Sequence, residues 1–247
     1  MELVNQVALV TGSATGIGRA TVLALARLGA AVVVNYTKSE PEARETIAAI
    51  EELGRRALLV KADVSDDRQA RALVERTVGA FGRLDVLVNN AGATTFVDFH
   101  DLEGLTDEIW DRSYAVNVKG TFYCSRAAAG IMQQRGGGCI VNVTSVAGLK
   151  PAGSSIAYCA AKAAAISLTQ TLAVALAPTI RVNAVAPGFI DTRWNPADPA
   201  LRLRAQERAV LKRAGRPEDV AEVIVGLITN SHFVTGQVVV VDGGQLP

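Results

Sequence analysis

Residues 6–29 read QVALVTGSATGIGRATVLALARLG, and they decide how the rest of the chain is read. Residues 6–11 form a short, valine-rich run suited to a strand covered on both faces, as in a parallel sheet. Gly12-Ser13-Ala14-Thr15-Gly16-Ile17-Gly18 follows without a gap, and then a helical pattern that stops at Gly29. Strand, glycine loop and helix in direct succession let a backbone approach a pyrophosphate, whose charge meets the helix N-terminus. The spacing is G-x-x-x-G-x-G rather than G-x-G-x-x-G, with the same physical consequence.

The alternation continues outward from there. Strand-like runs at 31–35, 56–62, 84–88, 139–144, 180–186 and 237–241 alternate with helical patterns at 40–54, 66–81, 105–135, 158–177 and 216–229. Seven strands, helices between them, no linker and no repeat predict an α/β doubly wound parallel (Rossmann) sheet with helices on both faces. The expected organisation is one dinucleotide-binding domain over 1–247. The charge- and proline-rich stretch at about 189–215 reads as an inserted helical lid over the substrate. Right-handed crossovers place the carboxyl ends of the strands on one edge, so Gly12, Asp63, Asn90, Ser145 and Pro187 gather there.

Composition bounds the function classes. The chain has 247 residues, 49% hydrophobic and 20% charged, which allows a large core and excludes disorder. A formal net charge of +1 offers no electrostatic case for nucleic acid or an anionic membrane. Cys124, Cys139 and Cys159 form no C-x-x-C pair and are odd in number, which fits a reduced, cytoplasmic setting. The opening MELVNQVALV lacks a basic n-region and runs into a strand, unlike a signal peptide. Residues 163–180 carry no charge, but Ser167, Thr169, Gln170 and Thr171 interrupt them and Pro178 ends them. A helix in a core or subunit interface explains that stretch better than a membrane span. His100, His232 and the separated cysteines supply no metal set, so no metal is expected. Ser145 lacks a G-x-S-x-G frame and the glycines lack G-K-[ST], which argues against a serine hydrolase and a P-loop enzyme.

Residues 141–162 read VNVTSVAGLKPAGSSIAYCAAK and carry the chemistry. Tyr158 and Lys162 stand four residues apart, on one helix face. Ser145 ends the preceding strand. A hydroxyl, a phenol and an ammonium brought together can bind and protonate a carbonyl oxygen. A free tyrosine has a pKa near ~10; a neighbouring ammonium and an oxidised nicotinamide would bring it toward working pH. After the strand at 31–35 come Tyr36, Thr37 and Lys38, with no acid before Glu40. NAD-binding folds hold an acid near this point for the ribose 2′-hydroxyl, whereas a lysine and two hydroxyls suit a 2′-phosphate. NADP(H) is therefore the preferred cofactor, with NAD(H) the alternative. Asn89-Asn90-Ala91-Gly92, small residues and amides directly after a strand, fit a close pass by a ligand. Asn117 falls inside a helical pattern, a mildly unfavourable place for asparagine and usually a solvated one.

TGSATGIG (11–18), DV (63–64), NNAG (89–92), Asn117, Ser145, Tyr158-x-x-x-Lys162 and PGFIDT (187–192), in this order, resemble the short-chain dehydrogenase/reductase family. The likeness covers almost the whole chain and is nearest in look to bacterial 3-oxoacyl-acyl-carrier-protein reductases. It implies an oxidoreductase that transfers a hydride between a nicotinamide cofactor and a small carbonyl or secondary alcohol. It implies a catalytic set of Asn117, Ser145, Tyr158 and Lys162. Tyr158 would be the general acid/base, and Lys162 would lower its pKa and bond the nicotinamide ribose. Ser145 would hold the substrate oxygen, and Asn117 would order a water. The dinucleotide would run along Gly12, Ser13, Thr15, Gly16, Ile17 and Gly18, past Tyr36, Thr37 and Lys38. Asp63 and Val64 would touch adenine, and Asn90 the adjoining ribose with Ala91 and Gly92 beside it. Pro187, Gly188, Ile190 and Thr192 would meet the nicotinamide. The resemblance also implies a homotetramer through the helices at 119–135 and 158–177. Many NADP-dependent relatives carry an arginine where this chain has Thr15. The short segment at 176–179 lacks a basic residue used toward the acyl carrier protein, leaving Arg135, and Trp194 offers a bulky apolar wall. A non-catalytic binding protein on this fold would be the reading had Ser145, Tyr158 or Lys162 been replaced.

Overall fold

Alternating side chains let one sheet be covered twice. In β1 (Val7–Val10), Ala8 and Val10 turn to one face and Leu9 to the other; in β2 (Ala31–Tyr36), Val32 and Val34 join the first face and Val33 the second. Strands β3 (Ala57–Lys61), β4 (Val86–Asn89), β5 (Gly138–Val143), β6 (Ile180–Pro187) and β7 (Val238–Val241) complete a seven-stranded sheet. Its order is β3-β2-β1-β4-β5-β6-β7, and every pairing is parallel. This computed structural model describes residues 3–195 and 198–246. Met1, Glu2, Pro196, Ala197 and Pro247 fall outside, so the expected 1–247 span and 189–215 lid are followed only through the described residues.

One face carries α1 (Gly16–Arg27), α2 (Glu40–Glu52) and α8 (Pro217–Thr229), packed through Val22, Leu25, Ile50 and Ile224. The other carries α3 (Asp67–Phe81), α5 (Thr121–Gln134) and α6 (Ile156–Leu176), packed through Leu73, Met132 and Leu172. Each such leucine contributes about 1.5–3 kcal/mol by leaving water. The doubly wound architecture expected from the strand–helix alternation is the one observed.

The chain leaves β1 for β2 on one side and later returns for β4 on the other. A crevice opens at this switch in strand order, between the loops that follow β1 and β4. Gly12 has φ +60°, and a Cβ built on it would lie 2.9 Å from the Ala91 Cα, so these two loops meet backbone to backbone.

The helix expected over 105–135 is three elements. α4 (Asp107–Tyr114) runs into a widened π turn (Ala115–Gly120), and then α5 begins. The cause is Asn117, which is 1% exposed and not solvated. Its Nδ2 donates to Ala93 O at 2.8 Å and Ser113 O at 2.9 Å, and the wider turn lets it reach the segment after β4. In the stretch expected to form a lid, the described helix is α7 (Pro199–Arg208), capped by Asp198, whose carboxylate accepts from Ala200 N at 2.8 Å. α6 is long and apolar enough to cross a membrane by length and composition. Its Ala161, Ala165, Thr169 and Leu172 are nevertheless buried, while Val174 is 81% exposed.

Candidate active site

A cleft of about 880 Å³ runs along the carboxyl ends of the strands. Its volume lies within the range of small-molecule and cofactor sites. At its centre, β5 ends with Val143, whose carbonyl accepts a bond from Lys162 Nζ at 2.9 Å. Ser145 follows on a short 3₁₀ turn, its Oγ accepting from Ala147 N at 3.1 Å. Ser155 caps α6 by accepting from Tyr158 N at 3.3 Å, which puts the phenol in the first helical turn. There the helix dipole favours negative charge. Lys162 Nζ stands 5.6 Å from the Tyr158 ring centre, and the Trp194 ring lies 6.2 Å from it, tilted by 49°. A Cβ on Gly92 would stand 3.1 Å from Asn117 Oδ1, 3.3 Å from Trp194 and 3.8 Å from Lys162 Nζ. The small residue leaves open the point on which these side chains converge.

Burial governs the electrostatics here. It pushes the Tyr158 phenol up to about 12, the Ser145 hydroxyl pulls it back and Cys159 adds to the rise. Burial also brings Lys162 down to about 8. The expectation that Lys162 lowers the Tyr158 pKa is not met by the protein's own groups. Desolvation dominates both residues, and the ammonium is directed to the Val143 carbonyl.

Toward β1, the expected dinucleotide residues divide into those that face the cleft and those that build it. Gly12, Thr15, Gly16 and Ile17 line it, as do Tyr36, Thr37 and Lys38 at the end of β2. Asp63, Val64, Asn90, Ala91 and Gly92 line it as well, and so do Pro187, Gly188, Ile190 and Thr192 after β6. Ser13 does not face it: it is fully buried, its Oγ donating to Val10 O at 2.7 Å and accepting from Asn35 N at 3.1 Å. Gly18 is likewise inside, where a Cβ would strike the Asn90 amide at 2.5 Å. Asn90 donates to Thr11 O and Gly12 O, both at 2.9 Å, so its side chain clamps the glycine loop instead of reaching outward. Asn117 is a clamp of the same kind, with Oδ1 accepting from Ala93 N at 3.3 Å.

Three contributors were not foreseen. Asn35 Oδ1 accepts from Gly12 N at 3.0 Å while its Nδ2 donates to Ala62 O at 3.0 Å, tying the glycine loop to β3. A polar residue in an otherwise apolar strand was the available signal. Thr11 Oγ1 accepts from Asn90 N and Ala91 N, both at 3.0 Å. Arg193 bonds Ser39 and Glu42 across the mouth of the cleft. Glu40, the first acid after β2, is held by Arg44 at 2.6 Å.

These residues fit a dinucleotide. Positive-φ Gly12 and Gly16 keep side chains away from the start of α1, where backbone N–H groups and the dipole suit a pyrophosphate. Asp63 is the single carboxylate among the described lining residues, and it is bonded to Ser65 at 2.6 Å.

Comparison with known proteins places the chain among relatives of the same length. Residues 12–245 match the family described as enoyl-(acyl carrier protein) reductase. The chain is 41% identical over 250 residues to a 3-oxoacyl-[acyl-carrier-protein] reductase of Synechocystis sp., covering 99% of this chain and 98% of that one. It is 40% identical over 249 residues to an L-rhamnose 1-dehydrogenase (NAD(P)(+)) of Sphingomonas sp., covering 98% and 97%. A short-chain dehydrogenase from Burkholderia cenocepacia, solved in complex with NADP, superposes with a TM-score of 0.92 at 38% identity, covering 99% of both chains. On a match spanning 12–245 and relatives at 40% identity or more that align almost end to end, the chain belongs to the short-chain dehydrogenase/reductase family, as an NAD(P)-dependent oxidoreductase acting on CH–OH groups.

Proposed function

We propose that the chain is an NADP(H)-preferring carbonyl reductase, running in reverse as a secondary-alcohol dehydrogenase, with Tyr158 as its acid. The observation that carries this is the meeting of half-buried Ser145 with buried Tyr158 and Lys162 at the middle of the cleft. A phenol held up to about 12 stays protonated at neutral pH and is ready to donate. A bound nicotinamide supplies the hydride; the protein supplies position and the proton. Ser145 and Tyr158 donate to the carbonyl oxygen, and as that oxygen becomes an alkoxide Tyr158 Oη gives up its proton. The charge left on the phenol is favoured by the Ser145 hydroxyl and by the first turn of α6. Trp194 and Phe96 wall the substrate side, which suits aryl or medium-chain ketones.

Lys38 at the end of β2 supports NADP(H), since the nearby acids Glu40 and Glu42 are already paired with Arg44 and Arg193. The uncharged face of α6 around Val174 supports a homotetramer. A second reading, reduction of 3-oxoacyl groups on an acyl carrier protein, is favoured by the Synechocystis relative. Against it, Arg135, the basic residue left for that docking, donates to Gly82 O at 2.8 Å within its own chain.

The test is a panel of simple ketones, 3-oxoacyl thioesters and polyols assayed with each nicotinamide. NADPH-dependent reduction of aryl or medium-chain ketones is the expected result, and Lys38→Ala should raise KM for NADPH about fivefold while sparing NADH. Turnover confined to polyols with NAD, or to thioesters, would contradict the proposal.

A further inference from the structure

The cleft is far more basic than the chain as a whole. Lys38, Arg112, Lys162, Arg193, Arg204 and Arg208 line it against the lone carboxylate of Asp63, in a protein of net charge +1. Lys38 and Arg193 lie at the β2 end, Arg112 is bonded to Asp63 at 3.4 Å, and Lys162 belongs to the central cluster. Arg204 and Arg208 have no place in that scheme.

Both come from α7. Leu201, Arg204, Ala205 and Arg208 line the cleft, and their spacing makes them one stripe of the helix. Arg202, off the stripe, pairs with Asp191 at 3.0 Å. The stripe is placed next to the reacting groups by a short relay. Gln245 Nε2 donates to Ala205 O at 3.3 Å, Lys150 Nζ donates to Gln245 O at 3.0 Å, and Lys150 N bonds Val146 O at 3.0 Å, beside Ser145. The nearest carboxylate to Arg204 is Asp198, at a long 3.7 Å, and among the described residues Arg208 makes no ion pair. Two exposed guanidinium groups one helical turn apart, at the rim of a half-open cleft, are suited to a carboxylate.

Resting on the carbonyl-reductase reading, we propose that Arg204 and Arg208 form an anion subsite selecting ketones that bear a carboxylate remote from the reacting carbonyl. The carboxylate docks on α7, the carbonyl reaches Ser145 and Tyr158, and the apolar spacer lies along Leu201 and Trp194. Chain length between the two ends then sets which oxo acid is preferred.

The experiment compares straight-chain oxo acids, from pentanoic to nonanoic, each with its methyl ester, under NADPH. At the best-fitting length the wild type should favour acid over ester in kcat/KM by about tenfold. Arg204→Gln and Arg208→Gln should each reduce that ratio several-fold through KM, the double variant should bring it near one, and Arg202→Gln should leave it unchanged. A ratio that is the same in all these proteins at every length overturns the subsite. So does a loss of NADPH affinity in the variants with the ratio intact, since the arginines would then serve the cofactor. Calorimetric titration with the matching unreactive alkanoates separates the two readings. Alkanoates that bind the wild type and not the double variant uphold the subsite even if no ketone is turned over. Equal binding to both rejects it even if ketone esters are reduced.

Discussion

Lys162 is 4% exposed, with its ammonium on one backbone carbonyl, and burial holds it down at about 8. At this residue the unfolded state therefore binds more protons than the folded one between pH 8 and 10.5, and folding stability gains from Lys162 as pH rises through that window. Below pH 8 the folded state carries the full cost of a charged, desolvated amine, about 3 kcal/mol at most. Lys162→Met should thus approach or exceed wild-type stability at pH 7 and lose that advantage by pH 10.5. The raised Tyr158, Cys124 and Cys139 are common to both proteins and cancel in the difference. Parallel denaturation curves for the two proteins across this range would contradict the buried charge. The spacing of Tyr158 and Lys162 was legible in the sequence because a helix repeats every 3.6 residues. Their pKa order was not, because desolvation depends on what the other elements cover.

At the scale of elements, loops rather than strands hold the cleft open. Thr11, Asn35 and Asn90 tie the glycine loop to β2, β3 and the segment after β4. Gly12 sits in the left-handed region at φ +60° against the Ala91 backbone. Gly12→Ala meets a conformational penalty of about 1–2 kcal/mol and a collision with Ala91. Chemical denaturation should show a loss of roughly 2 kcal/mol or more, accompanied by weaker NADPH binding; unchanged stability and affinity would refute the close approach. The glycines were readable as a loop because strand and helix flank them. The clamps were not, since each joins residues more than twenty positions apart. The π turn was hidden for the same reason: Asn117 looks like a poor helix residue until Ala93 is placed beside it.

Across the whole molecule, the parallel sheet brings residues from Gly12 to Gln245 to one edge and makes a neutral chain locally basic. That gathering follows from strand order and crossover hand, which is why most of the cleft could be named from the sequence. The stripe of α7 that faces the cleft could not be, because it depends on Gln245 and Lys150 anchoring α7. The proposed reaction turns on the Tyr158 phenol as the proton donor. The direct measurement is Tyr158→Phe, titrated with NADPH by fluorescence and then assayed on the best ketone found. NADPH affinity within about twofold of wild type and a turnover lower by roughly a thousandfold or more is the predicted pair of results. Turnover close to wild type would contradict it.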